Sequence, residues 1–547
     1  MPPRAPSNPD LTADSDQELT AAPATMDKTV QEDSKVMMQP ALAKNVTNTY
    51  HWEMNLYCAV AMGALYAITP VDARLFWHIV FGLLALDAAR YYYLRGSLAG
   101  VPYTVPFVNL FAMLINPERF WAELGTIAMA SADGLCANTM VGCQMIFCTD
   151  PQLCRKVMTN ESEYGIYAHP NSIFLFDPKN LIYLKSDVHK KVRAVLTPAL
   201  FSEDALDQYA CAQEKICRRA LEKHAMYCEE TGQPFNAMVA FRSLGALASQ
   251  ESFLGPYLTD ELRDELEQDI LIFTMGFLSF PCPYFGGLRQ ALKAKFRIEG
   301  KIIKLVPKAR EYILAGNKPR CLLERWSVSI MEAAKERGCK ITEVHGCTDD
   351  DVSRCVLDFL FAAQDATNSG LVYCLDVMQT NPEIFEKCHQ EVRRVCGAKG
   401  AIATKVREEL EYVGKCANQL LHYKPPVPMV PHLCQKNNYL NGHLITKGTV
   451  VIPSITYMAR SSGHALEFSP ERSDPDTQFV KTVTFGAGQH KCPGRRYAES
   501  LLAVFLGVLA QDYTVERAGP RSGPDDFIFF PTLFPRDSTF IVKKRSA

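Results

Sequence analysis

The chain has 547 residues, 48% hydrophobic and 22% charged, enough to bury a large core, and its formal net charge of −2 leaves no global basic field, so nucleic acid is a poor first choice of partner. Its nineteen cysteines show no regular spacing and no CxxC pairs, and a chain this long needs no stapling, which points to reduced thiols facing a cytosol-like compartment.

Residues 1–51 open with MPPRAPSNPD and continue polar and rich in Ala, Thr, Asp and Pro, without apolar periodicity, so they are expected to be a disordered extension. They are acidic on balance and carry few arginines, against a mitochondrial transit peptide, and a secretory signal would place its apolar run nearer Met1. Whether Asn45, in Asn-Val-Thr, is glycosylated stays open. Two uncharged runs follow, Leu56 to Val71 and Leu75 to Leu86, each shorter than the ~20 apolar residues that span a bilayer. Either the first run with its aromatic flanks Trp52 and Tyr57 makes one thin span, or the two form a hairpin in one leaflet; two buried core helices are the remaining alternative. The Tyr and Arg cluster in RYYYLRGSLAG favours an interface, so 52–93 is expected to be a membrane anchor. A Pro/Gly hinge at 94–107 would join it to one compact domain, 108–547.

Within that domain, helical patterns dominate. NPERFWAELGTIAMASA, SDVHKKVRAVLTPALF, EDALDQYACAQEKICRRALEKHAM, TDELRDELEQDILIFTMGF and RQALKAKFRIEGKIIKLVPKAREYILA repeat apolar residues at three and four, whereas strand-like pieces such as TVVIPSI and STFIVKK are short and late. The expected fold class is mostly α with small β-sheets. One helix stands apart: Thr348 caps an acidic first turn and the pattern runs unbroken to Asn381 and Pro382, roughly 45 Å at 1.5 Å per residue. Its middle, AAQDATNSG, sets Gln364, Asp365, Thr367, Asn368 and Ser369 around the axis between two apolar halves. Such a patch in a core helix costs free energy unless it is paired, faces a ligand or marks a bulge.

Near the C-terminus, FGAGQHKCPG sets Cys492 behind a glycine-rich turn and directly ahead of a long apolar helix. The glycines allow a tight turn beside a flat group, and a cysteine at a helix mouth meets amide donors and the positive dipole end, which favour thiolate.

Together these pieces resemble the cytochrome P-450 haem-thiolate family, whose haem-binding pattern is complete in Phe485, Gly488, His490, Cys492 and Gly494. The resemblance implies iron-protoporphyrin haem with Cys492 as metal ligand, a thiolate that favours O–O cleavage. It further implies that Arg193, in His189-Lys-Lys-Val-Arg193, and His432, after the prolines of YKPPVPMVPH, meet the haem propionates. Asp365 would feed protons, with Thr367 as the nearest hydroxyl, since the usual threonine directly after the acid is Ala366. Pro470, Glu471 and Arg472 are similar to the meander, with Ser473 replacing its usual Phe.

Finer features, FLFAAQDA, NLIY before HKxVR, GPYL, PPxPMVPH and FGAGxHxC, resemble the sterol C-22 desaturase branch over most of Pro106 to Phe540. That implies removal of one hydrogen each from C-22 and C-23 of a sterol side chain, the second loss outrunning hydroxylation through the geometry of the bound side chain. It also implies an NADPH-dependent cytochrome P450 reductase as electron source and the endoplasmic reticulum membrane as location, the catalytic domain facing the cytosol. Lys190, Lys191, Arg495 and Arg496 are candidates for a basic docking face. Apolar stretches around Tyr167 and Phe174, and from Phe273 to Gly287, suit a large apolar ligand. The loop Phe280 to Phe285 is a candidate for dipping into the membrane.

One departure matters. The family's Glu-x-x-Arg, which locks to the meander arginine, reads Gln419-Leu-Leu-His422 here, while Glu391-Val-Arg-Arg394 lies too far upstream to replace it. Three readings therefore stand: a C-22 desaturase with a rewired neutral network, a sterol demethylase or hydroxylase of the same fold, and a non-catalytic haem- or sterol-binding relative.

Overall fold

The computed structural model describes residues 50–545 apart from 107, 141, 168–169, 177–179, 185, 278, 280–281, 345, 462–466, 473–482, 521–526 and 531. Most of the expected extension 1–51, Ser473 and part of the Phe280 to Phe285 loop thus lie outside the described residues.

Helix α1 (Tyr50–Ile68) and helix α2 (Arg74–Arg95) carry the two apolar runs. They meet near their turn, where Trp77 donates to Thr69 Oγ1 at 2.9 Å and Tyr66 meets His78 and Phe81 at 5.9 and 6.0 Å between ring centroids. Leu56, Val60, Leu65, Leu75, Phe76, Ile79 and Leu83 are exposed, which removes the buried-core alternative. Among the described residues no helix is long and apolar enough to cross a membrane. The outer ends of the pair are bolted down: His51 meets Glu123 at 2.9 Å with both side chains buried, Asn55 donates to the Tyr103 carbonyl, and Tyr91 Oη donates to Val101 O at 2.8 Å. The 94–107 segment, expected as a hinge, is strapped to the sheet by Val101 N–H to Ala137 O at 3.1 Å and Ala137 N–H to Ala99 O at 2.7 Å.

The body begins with α3 (Pro117–Ala130), whose Asn116 cap accepts from the Arg119 amide. Then come β1 (Leu135–Met140), β2 (Cys143–Cys148), α4 (Pro151–Thr159), β3 (Tyr164–Ile166), α5 (Ser186–Phe201), α6 (Glu203–Thr231) and α7 (Ala237–Leu254). The helix expected over 289–315 is two, Gly286–Ile302 and Leu305–Leu314, because Pro307 has no N–H to give to the carbonyl of residue 303. The long helix is α8 (Asp349–Thr380), 32 residues, with Thr348 and Asp351 forming the capping box and Asn381 the C-cap. It is followed by α9 (Pro382–Cys396), α10 (Glu411–Tyr423), β4 (His432–Cys434), β5 (Val450–Pro453), α11 (Arg495–Asp512), β6 (Phe527–Phe530) and β7 (Thr532–Pro535).

The main sheet runs β1-β2-β5-β4-β3, with β2 and β5 parallel and the other pairs antiparallel. A large apolar cluster fills the helical region, with Trp326, Phe241 and Phe505 fully buried, and two smaller clusters flank the sheet. Twelve of the nineteen cysteines are buried and all are free thiols. The cysteine loop thus sits between the sheet and α11, with α8 crossing the helical core.

Candidate haem-thiolate site

Phe485 to Gly494 folds as a tight loop because Gly486 and Gly488 take φ of +78° and +73°. A side chain at Gly488 would collide with the Met158 carbonyl at the end of α4, its Cβ only 2.8 Å away. The loop closes on itself through Cys492 N–H to Phe485 O at 2.8 Å, and Arg495 lies 5.7 Å over the Phe485 ring.

Cationic and imidazole groups from three segments converge on this loop. Arg193 of α5 donates to Gln489 O at 3.2 Å and acts electrostatically on Cys492. His189, one turn earlier, stacks at 4.3 Å on His490, whose Nε2 is 3.7 Å from Glu161. His432 of β4 is buried, meets Val430 O at 2.8 Å and feels the His490 charge. Burial holds His189 and His432 at about 4, so both are neutral at pH 7 and Arg193 is the standing cation among them.

Burial pushes the Cys492 thiol above its ordinary value, opposed by the Gly494 amide, Arg193 and Arg495 and reinforced by Glu499. The Gly494 amide and the two arginines thus favour the thiolate, as helix-mouth geometry leads one to expect, against the larger effect of burial. Haem iron, when bound, would add positive charge beside the sulfur and favour the thiolate further. The side chain lies deep in the fold yet only half covered, as at a cavity wall. A thiol so placed, a standing arginine and a tight glycine loop together fit a flat, iron-bearing anionic group.

Across the core, α8 turns two different faces to its surroundings. Ala362 is exposed and Ala366, one turn on, half-buried, so small side chains line the accessible face of the helix middle. Phe361 beside them packs on Phe176 and Phe273, both at 5.4 Å, forming an apolar wall. The polar patch is mostly partnered: Asn368 donates to Met238 O at 2.9 Å, Ser369 to Leu533 O, and Thr532 Oγ1 to the Asp365 carbonyl at 3.2 Å. Asp365 is buried and pairs with Arg242 of α7 at 3.5 Å; burial raises its pKa and Arg242 opposes the rise. Its Oδ2 has no hydrogen-bond partner. Thr367, two residues on, is half-buried on the opposite flank of the helix, apart from the Asp365 carboxyl.

The missing ion pair is replaced by side-chain hydrogen bonds. His422 bridges Thr484 Oγ1 at 2.7 Å and Asn418 Oδ1 at 2.8 Å, whereas Gln419 is buried with Oε1 unpartnered. Arg472 pairs with Glu467 at 3.3 Å, the alternative carboxylate its position requires. Glu391 caps α10 instead, accepting from the Tyr412 and Val413 amides at 2.9 Å each. On the candidate docking face, Lys190 and Lys191 are exposed, while Arg495 and Arg496 pair with Glu499 and Glu203, both at 2.8 Å.

Arg242 and Thr484 are site residues that the sequence reading missed. Arg242 leaves one trace, a lone charge in the apolar pattern VAFRSLGALA; Thr484 leaves none beyond preceding the loop.

A helical body with a half-covered cysteine on a glycine loop and a cationic rim defines a haem-thiolate protein. The sequence profile of the Cytochrome P450 family matches residues 134–531, so the chain belongs to that family of haem-containing oxidoreductases of the monooxygenase class. It is similar to cytochrome P450 710A3 of Arabidopsis thaliana, 29% identical over 83% of this chain and 93% of that protein. It is also similar to the C-22 sterol desaturase erg5 of Aspergillus fumigatus, 25% identical over 84% of this chain and 91% of that one. The retinoic acid-bound cyanobacterial CYP120A1 shares the fold with a TM-score of 0.66 at 18% identity, over 82% of this chain and 99% of that one.

Proposed function

We propose that this protein is a sterol C-22 desaturase that works at the endoplasmic reticulum membrane and takes electrons from an NADPH-dependent flavoprotein reductase. The convergence of Arg193, His490 and Cys492 on one loop carries the oxidoreductase reading. Support for the sterol reading comes from relatives described as C-22 sterol desaturases and from the apolar wall of Phe176, Phe273 and Phe361. Haem bound through the Cys492 thiolate supplies oxygen activation.

The roles of this chain's own residues follow from their placement. Cys492 would hold the haem iron through its thiolate, Phe485, Gly488 and Gly494 shape its loop, and Arg193, His490 and His432 would serve the propionates. The alanine face of α8 admits an apolar chain closely, which restrains the side chain so that a second hydrogen is lost before oxygen is added. Asp365, with its free Oδ2 and raised pKa, holds and passes a proton, while Thr367 has the lesser part because it faces away. Overall, two hydrogens leave the sterol and, with dioxygen, two electrons from NADPH and two protons, give an olefin and two waters. The exposed α1–α2 pair, fastened at its base, enters the membrane as a hairpin in one leaflet.

The test is to reconstitute the full chain with reductase and NADPH, supply a sterol with a saturated side chain, and identify the product. A side-chain olefin supports the reading; a side-chain alcohol or a demethylated nucleus would replace it with the hydroxylase or demethylase alternative. A folded, haem-loaded protein that changes no sterol would leave a binding role.

A further inference from the structure

A narrow cleft between α3 and the β6–β7 ribbon is lined by Trp121, Pro428, Met429, Thr456, Phe527 and Leu533 and offers about 10 Å³ of room. Ser454 and Tyr457 also line it, Ser454 Oγ being taken up by the Pro428 carbonyl at 3.3 Å, whereas the indole Nε1 of Trp121 and Oγ1 of Thr456 are buried without hydrogen-bond partners. Both side chains are more than nine-tenths buried, at 8% and 7% exposure. Buried polar groups are rarely left this way, and two on one small space point to a ligand that pairs with both. An indole N–H only donates, whereas a threonine hydroxyl donates or accepts, so their joint complement is a group with an oxygen lone pair and a proton of its own. An alcohol is such a group.

One strand ties the cleft to α8. Thr532 of β7 hydrogen-bonds the Asp365 carbonyl and its neighbour Leu533 lines the cleft while accepting from Ser369, so one strand runs from the middle of α8 to this space. The room is that of about one water molecule. It takes a hydroxyl and no ring, which suits the polar end of an otherwise apolar ligand.

We infer that Trp121 and Thr456 form the subsite for the ring hydroxyl of the sterol, fixing the end of the molecule remote from the side chain. This assignment rests on the sterol reading above. A site built to hydrogen-bond an alcohol discriminates against the analogue that lacks it, because its own polar groups are then left unpaired. Holding the hydroxyl also sets how far the side chain reaches over the α8 face, and so which carbons are presented.

The experiment is a titration of the haem-loaded protein with a sterol and with its deoxy counterpart, read by the haem absorption change, for wild type, Thr456→Val and Trp121→Phe. Thr456→Val is nearly isosteric, and Trp121→Phe keeps a ring against Phe120 and Phe147, which lie 5.0 and 5.9 Å from Trp121. Wild type is expected to bind the sterol about tenfold more tightly than the deoxy compound, roughly 1.4 kcal/mol. Each variant should bring that ratio to within about threefold of unity by weakening the sterol alone. Equal binding of the two compounds by wild type, or an unchanged ratio in both variants, overturns the subsite and leaves the sterol reading intact. No spectral response to either compound overturns the sterol reading itself and the subsite with it.

Discussion

Nδ1 of His422 lies 2.7 Å from the hydroxyl of Thr484, so the helix before the prolines is joined to the cysteine loop by a hydrogen bond where the family uses an ion pair. The same ring reaches Asn418 Oδ1 at 2.8 Å, and both His422 and Gln419 are buried. This network avoids burying a Glu–Arg ion pair here, and Arg472 keeps a carboxylate in Glu467.

His422→Ala should therefore destabilise the haem-loaded protein by about 1–3 kcal/mol, the cost of leaving a buried partner unsatisfied. Urea denaturation and the fraction of haem kept through gel filtration would show it. The double substitution Gln419→Glu with His422→Arg should give no gain in haem retention, because Arg472 is already paired. A large gain would mean that the native site is impaired.

Arg193→Ala should lower haem retention by roughly 10- to 100-fold, the equivalent of one charged hydrogen bond. The rate of haem transfer to an acceptor apoprotein measures this. His432→Ala should cost less, because His432 is neutral above about pH 4.

The histidine pKa values also predict a pH dependence. His189 and His432 are depressed to about 4, so the unfolded chain takes up their protons first as pH falls. Their contribution to the ligand-free fold is complete above the unfolded value, ~6.5, and is lost as pH falls through about 4. Replacing either residue by Phe should flatten the decline of stability over that window.

Asp365→Asn should cut turnover by about 10²-fold, the scale of a lost acid-base group, while leaving the carbon monoxide spectrum unchanged. Since burial raises the Asp365 pKa, ionising it costs stability as pH rises through its folded value, and the variant should lose less stability than wild type on going to neutral pH. Arg242→Met removes the opposing cation and should move the alkaline limb of the turnover profile to higher pH.

Exchanging Leu75, Phe76 and Ile79 for serine should release the protein from phospholipid vesicles in a flotation assay. The haem spectrum should be unaffected, because these residues sit on the exposed hairpin.

Where the sequence carried local physical signals, it foretold the structure. The caps of α8 were legible because Thr348 and Pro382 act on adjacent backbone, and the cysteine loop because its glycines occupy positive φ. The break after Ile302 was overlooked although Pro307 announces it. The pairing of Asp365 with Arg242 was illegible because it joins residues far apart in the chain, on helices whose packing only the tertiary fold decides. For the same reason, Thr367 reads as a neighbour of Asp365 in sequence but lies round the helix from it. The cleft of Trp121 and Thr456 draws on four separate segments, and only the tertiary fold brings them together.

The most direct test is the carbon monoxide difference spectrum of the reduced full chain beside Cys492→Ala. A Soret band at the long-wavelength position of a thiolate-ligated complex, absent from the variant, is the predicted result and means that the His422 hydrogen-bond network supports a working cysteine loop. A folded protein without that band, or with the same band in the variant, would contradict it.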